Sequence, residues 1–188
     1  MSALTPANQL TLLRMLLIPA FVILVVYGHF GAALVVFAVA GLTDALDGLI
    51  ARRFGLGTTL GAWLDPMADK LLLVSTFVVL TWPGLGLANR LPIWLTVLII
   101  SRDVVIVLTV AVVNLAIGPR VFRPSLFGKV ATATYIVTAV VAMFFNYRGY
   151  QSTFVDACVY ACLAITLLSS LHYIRHAARI IEGPGTSD

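Results

Sequence analysis

Five of the eight acidic residues in this chain of 188 residues lie inside apolar segments long enough to be membrane helices, not counting Asp156 at the very start of the last segment. They are Asp44, Asp47, Asp65, Asp69 and Asp103. A carboxylate within a bilayer is costly unless it is paired, hydrated or bound to a metal, so intramembrane acids mark functional sites. Four of the five fall on two consecutive segments, which predicts a polar site enclosed by these helices.

The spacing of these four aspartates predicts that they converge. Asp44 and Asp47 are three residues apart, and Asp65 and Asp69 are four apart, so each pair lies on one face of its helix. A short loop joins the two helices and makes them antiparallel neighbours. At about 1.5 Å per residue, all four residues lie within roughly 12 Å of the same end. We therefore expect a cluster of four carboxylates.

Four adjacent carboxylates cannot all stay ionised without a cation between them. Clustered oxygen ligands favour Mg²⁺, Mn²⁺ or Ca²⁺, whereas zinc favours His or Cys, and none lies near the aspartates in the sequence. Mg²⁺ is the predicted cofactor, with Mn²⁺ as an alternative, because Mg²⁺ leaves positions open for phosphate oxygens. Gly48 and Gly61 would let a planar base or a diphosphate approach the backbone, and Arg52 would meet a phosphate.

The helices that carry these residues dominate the whole composition. Hydrophobic residues make up 61%, charged residues only 11%, and the mean hydropathy is +1.03, whereas soluble domains carry about a quarter charged residues. We predict an all-α integral membrane protein with six transmembrane helices, separated by turn residues, at 10–27, 31–50, 62–82, 92–117, 126–146 and 154–174. Residues 1–181 would form a single domain, and 182–188 a disordered tail.

The basic residues predict the orientation and exclude one class of partner. With both termini in the cytoplasm, eight Lys and Arg residues lie on that side and two on the other, as the positive-inside rule requires. The twelve basic residues occur singly or in pairs, so there is no basic stripe for a nucleic acid. The cytoplasmic eight are Arg14, Arg52, Arg53, Arg120, Arg123, Lys129, Arg175 and Arg179.

From Asp44 to Asp69 the sequence reads D-x2-D-G-x2-A-R-x8-G-x3-D-x3-D. This resembles the signature of the CDP-alcohol phosphatidyltransferases at every specified position. The resemblance implies attack of an alcohol on CDP-diacylglycerol with release of CMP, in a homodimeric enzyme of phospholipid biosynthesis. It implies a bacterial cytoplasmic (inner) membrane, with the active site facing the cytoplasm. It also implies that Asp69 is the general base.

The other residue roles follow from the same resemblance. The implied metal ligands are Asp44, Asp47, Asp65 and Asp69. The implied CDP-binding residues are Asp44, Gly48, Ala51, Arg52, Gly61 and Asp65.

The acceptor is suggested by shorter stretches. Residues 8–14, followed by Ile18-Pro19, resemble the glycerol-accepting branches, which are the phosphatidylglycerophosphate synthases and the cardiolipin synthases. The former typically show Arg-Glu and a later Arg in the fourth span, where this chain has Arg102-Asp103 and Val110. Segments 101–104 and 123–129 look more like the cardiolipin branch, which favours phosphatidylglycerol over glycerol 3-phosphate as the acceptor.

Four basic residues are candidates for binding the acceptor: Arg102, Arg120, Arg123 and Lys129. Arg102 could instead form a buried ion pair with Asp103 or a neighbouring helix, and Arg120 and Arg123 could be ordinary loop charges. A small divalent-cation transporter is the alternative of another class. It would leave Gly48, Arg52 and Gly61 unexplained, and transporters bind nearer the middle of the membrane than these aspartates lie.

Overall fold

The computed structural model describes residues 6–54, 59–117 and 126–182, which contain six α-helices and no strand. The all-helical prediction is confirmed, and each predicted span overlaps one helix. The helices are α1 (Pro6–Val26), α2 (Phe30–Phe54), α3 (Thr59–Thr81), α4 (Ile93–Ile117), α5 (Leu126–Arg148) and α6 (Thr153–Glu182). The predicted disordered tail lies outside the described residues apart from Glu182, which ends α6.

Four segments of the described helices are long and apolar enough to cross a membrane. They are Gln9–Val26, Ile93–Val112, Leu126–Arg148 and Thr153–Arg175. In α2 the apolar part is shorter, Phe30–Asp44. Many large apolar side chains are exposed, including Leu16 at 70% and Leu115 at 87%, as expected for surfaces that face lipid. The chain is therefore an integral membrane protein, and membrane crossing by α2 and α3 stays a prediction.

Two helix ends show the turn chemistry that the sequence predicts. After α1, Gly28 has a φ of +77°, and after α5, Gly149 has a φ of +73°. Residues other than glycine rarely adopt this left-handed conformation, so the chain can reverse there at little cost. The predicted turns at 55–57 and 118–119 lie outside the described residues.

The chain divides into two compact units. The first contains residues 1–90 and 139–152, and the second residues 91–138 and 153–188, so α5 contributes to both. In the first unit α1 packs against α2 and α3. The rings of Phe21 and Phe37 lie 5.8 Å apart in this core. In the second unit α4 packs against α6. The single domain over 1–181 stays a prediction.

Polar side chains tie distant segments together in the first unit. The backbone N–H of Asn89 donates to Oδ1 of Asn146 at 2.8 Å, and Nδ2 of Asn146 donates to the carbonyl of Asn89 at 3.2 Å. Nδ2 of Asn89 also donates to the carbonyl of Tyr150, and the backbone N–H of Ser152 donates to Oδ1 of Asn89, both at 2.8 Å. Asn89 thereby joins the segment before α4 to the loop between α5 and α6.

In the second unit a row of polar side chains runs along one face of α6. The row consists of Cys162, Thr166 and Ser169, all buried, and their spacing of four and three residues places them on one face. Cys162 is hydrogen-bonded to Thr138 of α5 at 3.0 Å, and Thr166 to Tyr135. Hydrogen bonds between membrane helices replace the hydrophobic driving force that lipid removes.

Candidate active site

The candidate site is built where α1 meets α2 and α3. Asp44 lies on α2 and Asp69 on α3, and Arg14 of α1 lies against both. Nη1 of Arg14 is 3.0 Å from Oδ1 of Asp44 and 2.6 Å from Oδ1 of Asp69. One guanidinium nitrogen thus holds carboxylates from two helices next to each other.

The arginine differs sharply in exposure from the two carboxylates that it contacts. The side chain of Arg14 is 0% exposed, whereas those of Asp44 and Asp69 are 42% and 46% exposed. Arg14 therefore approaches the carboxylates from the interior of the protein. Nearly half of each carboxylate side chain is accessible to a ligand.

The structure brings together two of the four predicted aspartates. The side chains of Asp47 and Asp65 lie outside the described residues, although their backbones are part of α2 and α3. For the predicted CDP-binding residues Gly48, Ala51, Arg52 and Gly61, the structure likewise describes only the helical backbone. Among the side chains that are described, no group of three His, Cys, Asp or Glu residues forms a metal site. The four-carboxylate cluster stays a prediction.

The two described carboxylates fit a hard divalent cation. Their Oδ1 atoms are both within 3.0 Å of one nitrogen, so they are close neighbours. Carboxylate oxygens are the ligands of Mg²⁺ and Mn²⁺, and Mg²⁺ commonly takes one or two of them together with substrate phosphates. Their accessible side leaves room for that arrangement.

Arg102, a predicted acceptor-binding residue, is held by its own neighbours. Its Nη1 donates to Oδ1 of Asp103 at 2.8 Å, and its Nη2 donates to Oγ of Ser169 on α6 at 2.9 Å. Its side chain is only 9% exposed. The ion pair of Arg102 with Asp103 is therefore observed, and a part of Arg102 in acceptor binding stays a prediction.

Of the other three acceptor candidates, the structure describes only Lys129, which is exposed in the first turn of α5. Arg120 and Arg123 lie outside the described residues. The part of these three residues in acceptor binding stays a prediction.

Sequence reasoning missed the role of Arg14, which it treated only as a cytoplasmic charge. A signal was present, since Arg14 is a charged residue inside the apolar segment Gln9–Val26. A buried arginine in such a segment needs a partner, and the only acidic residues in the next two helices are the four aspartates.

Comparison with known protein families assigns the chain to a family. A family model described as CDP-alcohol phosphatidyltransferase matches residues 4–172, which include every residue of the site. The chain belongs to the CDP-alcohol phosphatidyltransferases. It is thus an enzyme of phospholipid biosynthesis, and the cation-transporter hypothesis is set aside.

Relatives of this phosphatidyltransferase carry different names. The "Probable phosphatidylglycerophosphate synthase" of Mycobacterium tuberculosis is 36% identical over 184 residues, covering 94% of this chain and 83% of the relative. The "Cardiolipin synthase (CMP-forming)" of Rattus norvegicus is 32% identical over 199 residues, covering 95% and 64%. In Bacillus subtilis, a "CDP-diacylglycerol--glycerol-3-phosphate 3-phosphatidyltransferase" is 28% identical over 184 residues, covering 88% and 91%. All three relatives align with most of this chain, but their names differ in the product or the acceptor that they state.

Proposed function

We propose that this phosphatidyltransferase transfers the phosphatidyl group of CDP-diacylglycerol to phosphatidylglycerol, which forms cardiolipin and releases CMP. The motif from Asp44 to Asp69, in a chain that belongs to the CDP-alcohol phosphatidyltransferases, carries the reaction class. The pair of accessible carboxylates, Asp44 and Asp69, held side by side by Arg14, supports it. The alternative acceptor is glycerol 3-phosphate, which would give phosphatidylglycerophosphate.

Each carboxylate has a defined task in this proposal. Asp44, Asp47, Asp65 and Asp69 would hold Mg²⁺ or Mn²⁺, which when bound neutralises the charge of the diphosphate. Asp69 would accept the proton of the acceptor hydroxyl while the hydroxyl oxygen bonds to the β-phosphorus. The bond from that phosphorus to the CMP oxygen breaks, and CMP leaves with the electron pair. Phosphoryl transfer needs positioning and charge neutralisation more than covalent help.

The nucleotide would be bound by the remaining residues of the motif. Asp44, Gly48, Ala51, Arg52, Gly61 and Asp65 are proposed to line the CDP pocket. Two of them are glycines, which allow the cytidine base and the diphosphate to lie close to the backbone.

Val110 supports phosphatidylglycerol as the acceptor. The phosphate monoester of glycerol 3-phosphate carries about two negative charges near neutral pH, whereas the phosphodiester of phosphatidylglycerol carries a single one. Phosphatidylglycerophosphate synthases typically have an arginine where this chain has Val110, so the fourth helix offers one positive charge fewer to a dianion. Arg102, Arg120, Arg123 and Lys129 are the residues proposed to bind the acceptor phosphate.

We further propose that all six helices span a bacterial inner membrane with both termini in the cytoplasm, and that the protein is a homodimer. The distribution of eight basic residues against two supports the orientation. The active site would then face the cytoplasm, where CMP is released, while the acyl chains remain in the bilayer.

The test is CMP release by the purified protein in detergent with CDP-diacylglycerol and Mg²⁺. Phosphatidylglycerol and glycerol 3-phosphate are offered separately, with inositol and serine as controls. We expect release with phosphatidylglycerol and formation of cardiolipin. Release with glycerol 3-phosphate alone would refute the proposed acceptor while leaving the reaction class intact.

A further inference from the structure

We propose that Arg14 is a built-in counter-cation of the carboxylate site, which shares the negative charge of Asp44 and Asp69 with the bound divalent ion. This inference rests on the proposed function, because it takes Asp44 and Asp69 to be metal ligands. It predicts two effects of Arg14, one on the stability of the protein and one on its affinity for the ion.

The geometry supports a charge-balancing role. Nη1 of Arg14 contacts both carboxylates, at 3.0 and 2.6 Å, although they belong to different helices. Without a cation between them, two ionised carboxylates so close together would repel each other. Because α1 packs against both α2 and α3, the guanidinium also fixes the position of each carboxylate relative to the other.

Arg14 is buried, whereas the two carboxylates that it contacts are partly exposed. The arginine side chain is 0% exposed, and those of Asp44 and Asp69 are 42% and 46% exposed. The carboxylates can therefore contact the guanidinium and still be accessible to a divalent ion. Arg14 would weaken the binding of that ion, because two cations that share ligands repel each other.

Stability gives the first test. Wild type, Arg14→Gln, Arg14→Lys and the exposed control Arg90→Gln are purified in Mg²⁺ and then unfolded by heat in EDTA and in Mg²⁺. In EDTA we expect the Tm of Arg14→Gln to fall by at least about 5 °C, and Mg²⁺ to restore more than half of that loss. Arg14→Lys keeps the charge and should lose less, and Arg90→Gln should match wild type.

The affinity for Mn²⁺ gives the second test, because it distinguishes charge balancing from a purely structural role. Mn²⁺ binding is followed by electron paramagnetic resonance of the free ion. Arg14→Gln should lower the Kd for Mn²⁺ by at least about threefold, since one nearby positive charge is removed. A residue that only positions the carboxylates would give the opposite change when replaced, because poorly placed ligands bind more weakly.

The outcomes separate this inference from the proposed function. If wild type binds no Mn²⁺, or if Asp69→Asn leaves Mn²⁺ binding unchanged, the proposed metal site itself is wrong. If wild type binds Mn²⁺ but Arg14→Gln binds it equally or more weakly, the counter-cation role alone is refuted. An Arg14→Gln protein that cannot be folded even in Mg²⁺ also contradicts it, since the ion would then not replace the missing charge.

Discussion

In the proposed mechanism Asp69 combines two roles, because it would bind a metal ion and accept a proton while it contacts Arg14. Its Oδ1 accepts a hydrogen bond from Nη1 of Arg14 at 2.6 Å, yet the side chain is 46% exposed. The contact holds the carboxylate in one orientation, and the exposure lets an acceptor hydroxyl reach it. A general base needs this combination of fixed geometry and access.

The proposed base can be tested by an isosteric change. Asp69→Asn keeps an oxygen that can accept from Arg14 but cannot take a proton, so we expect CMP release to fall by at least about a hundredfold. Binding of CDP-diacylglycerol in the presence of Mg²⁺ should largely persist, as measured by equilibrium dialysis. Asp156→Asn is the matched control, since Asp156 is exposed in the first turn of α6. Turnover retained by Asp69→Asn would eliminate Asp69 as the base.

Asp44 is predicted to respond differently, because its proposed roles are metal and nucleotide binding. Asp44→Asn should weaken CDP-diacylglycerol binding and lower CMP release together. Dialysis and turnover on the same preparation check this, with Asp156→Asn again as the control. Intact binding with lost turnover would move Asp44 from a binding role to a chemical one.

Among the elements, α2 contains three glycines, and two of them, Gly31 and Gly41, have different surroundings. A Cβ built on Gly31 would lie 2.9 Å from Cε2 of Tyr147, whereas one built on Gly41 would meet nothing within 4 Å. Gly31 therefore permits the close approach of the Tyr147 ring of α5 to α2, and Gly41 has no such function.

Replacing these glycines separates packing from helix propensity. Gly41→Ala should raise the free energy of unfolding by up to about 1 kcal/mol, because alanine is the better helix former. Gly31→Ala gains the same propensity but must displace the Tyr147 ring, which is 62% exposed, so it should be less stable than Gly41→Ala by up to about 1 kcal/mol. Thermal unfolding of both variants in one detergent is the measurement, and equal Tm values would contradict the close approach.

The polar contacts of Asn89 and Asn146 make a second prediction for the elements. Both residues are less than 8% exposed. The side chain of Asn146 pairs with the backbone of Asn89, and the side chain of Asn89 pairs with the backbone of Tyr150 and Ser152. Asn89→Ala and Asn146→Ala should each lower the free energy of unfolding by about 1–3 kcal/mol, because buried backbone groups lose their partners. Thermal unfolding is the measurement, and a loss no larger than that of the exposed control Gln151→Ala would contradict the role of these contacts.

Over the whole molecule, the charge distribution predicts which ends of the helices face the cytoplasm. A cysteine introduced at His29 or Arg90 should react with a membrane-impermeant maleimide in intact cells. One at Lys129 should react only after the membrane is permeabilised. The unsubstituted chain, whose two cysteines lie in α6, gives the background. The reverse pattern would invert the orientation and place the site on the other side of the membrane.

The sequence alone was sufficient to predict the helices and to identify the family. Apolar runs of about 20 residues are set by the thickness of the bilayer, which is a local constraint that can be counted along the chain. All six predicted spans accordingly overlap helices, and the spacing from Asp44 to Asp69 identified the reaction class before any contact was known.

Only the tertiary structure decided which charges meet. Arg14 is 30 residues from Asp44 and 55 from Asp69, and no periodicity along the chain relates residues on three different helices. For Arg102, sequence left two interpretations open, and packing of α4 against α6 brought Ser169 to its guanidinium beside Asp103. The positions of apolar segments follow from transfer into lipid, residue by residue. The pairing of buried charges depends on how the helices pack, because a charge in the membrane is stabilised only by the partner that packing places next to it.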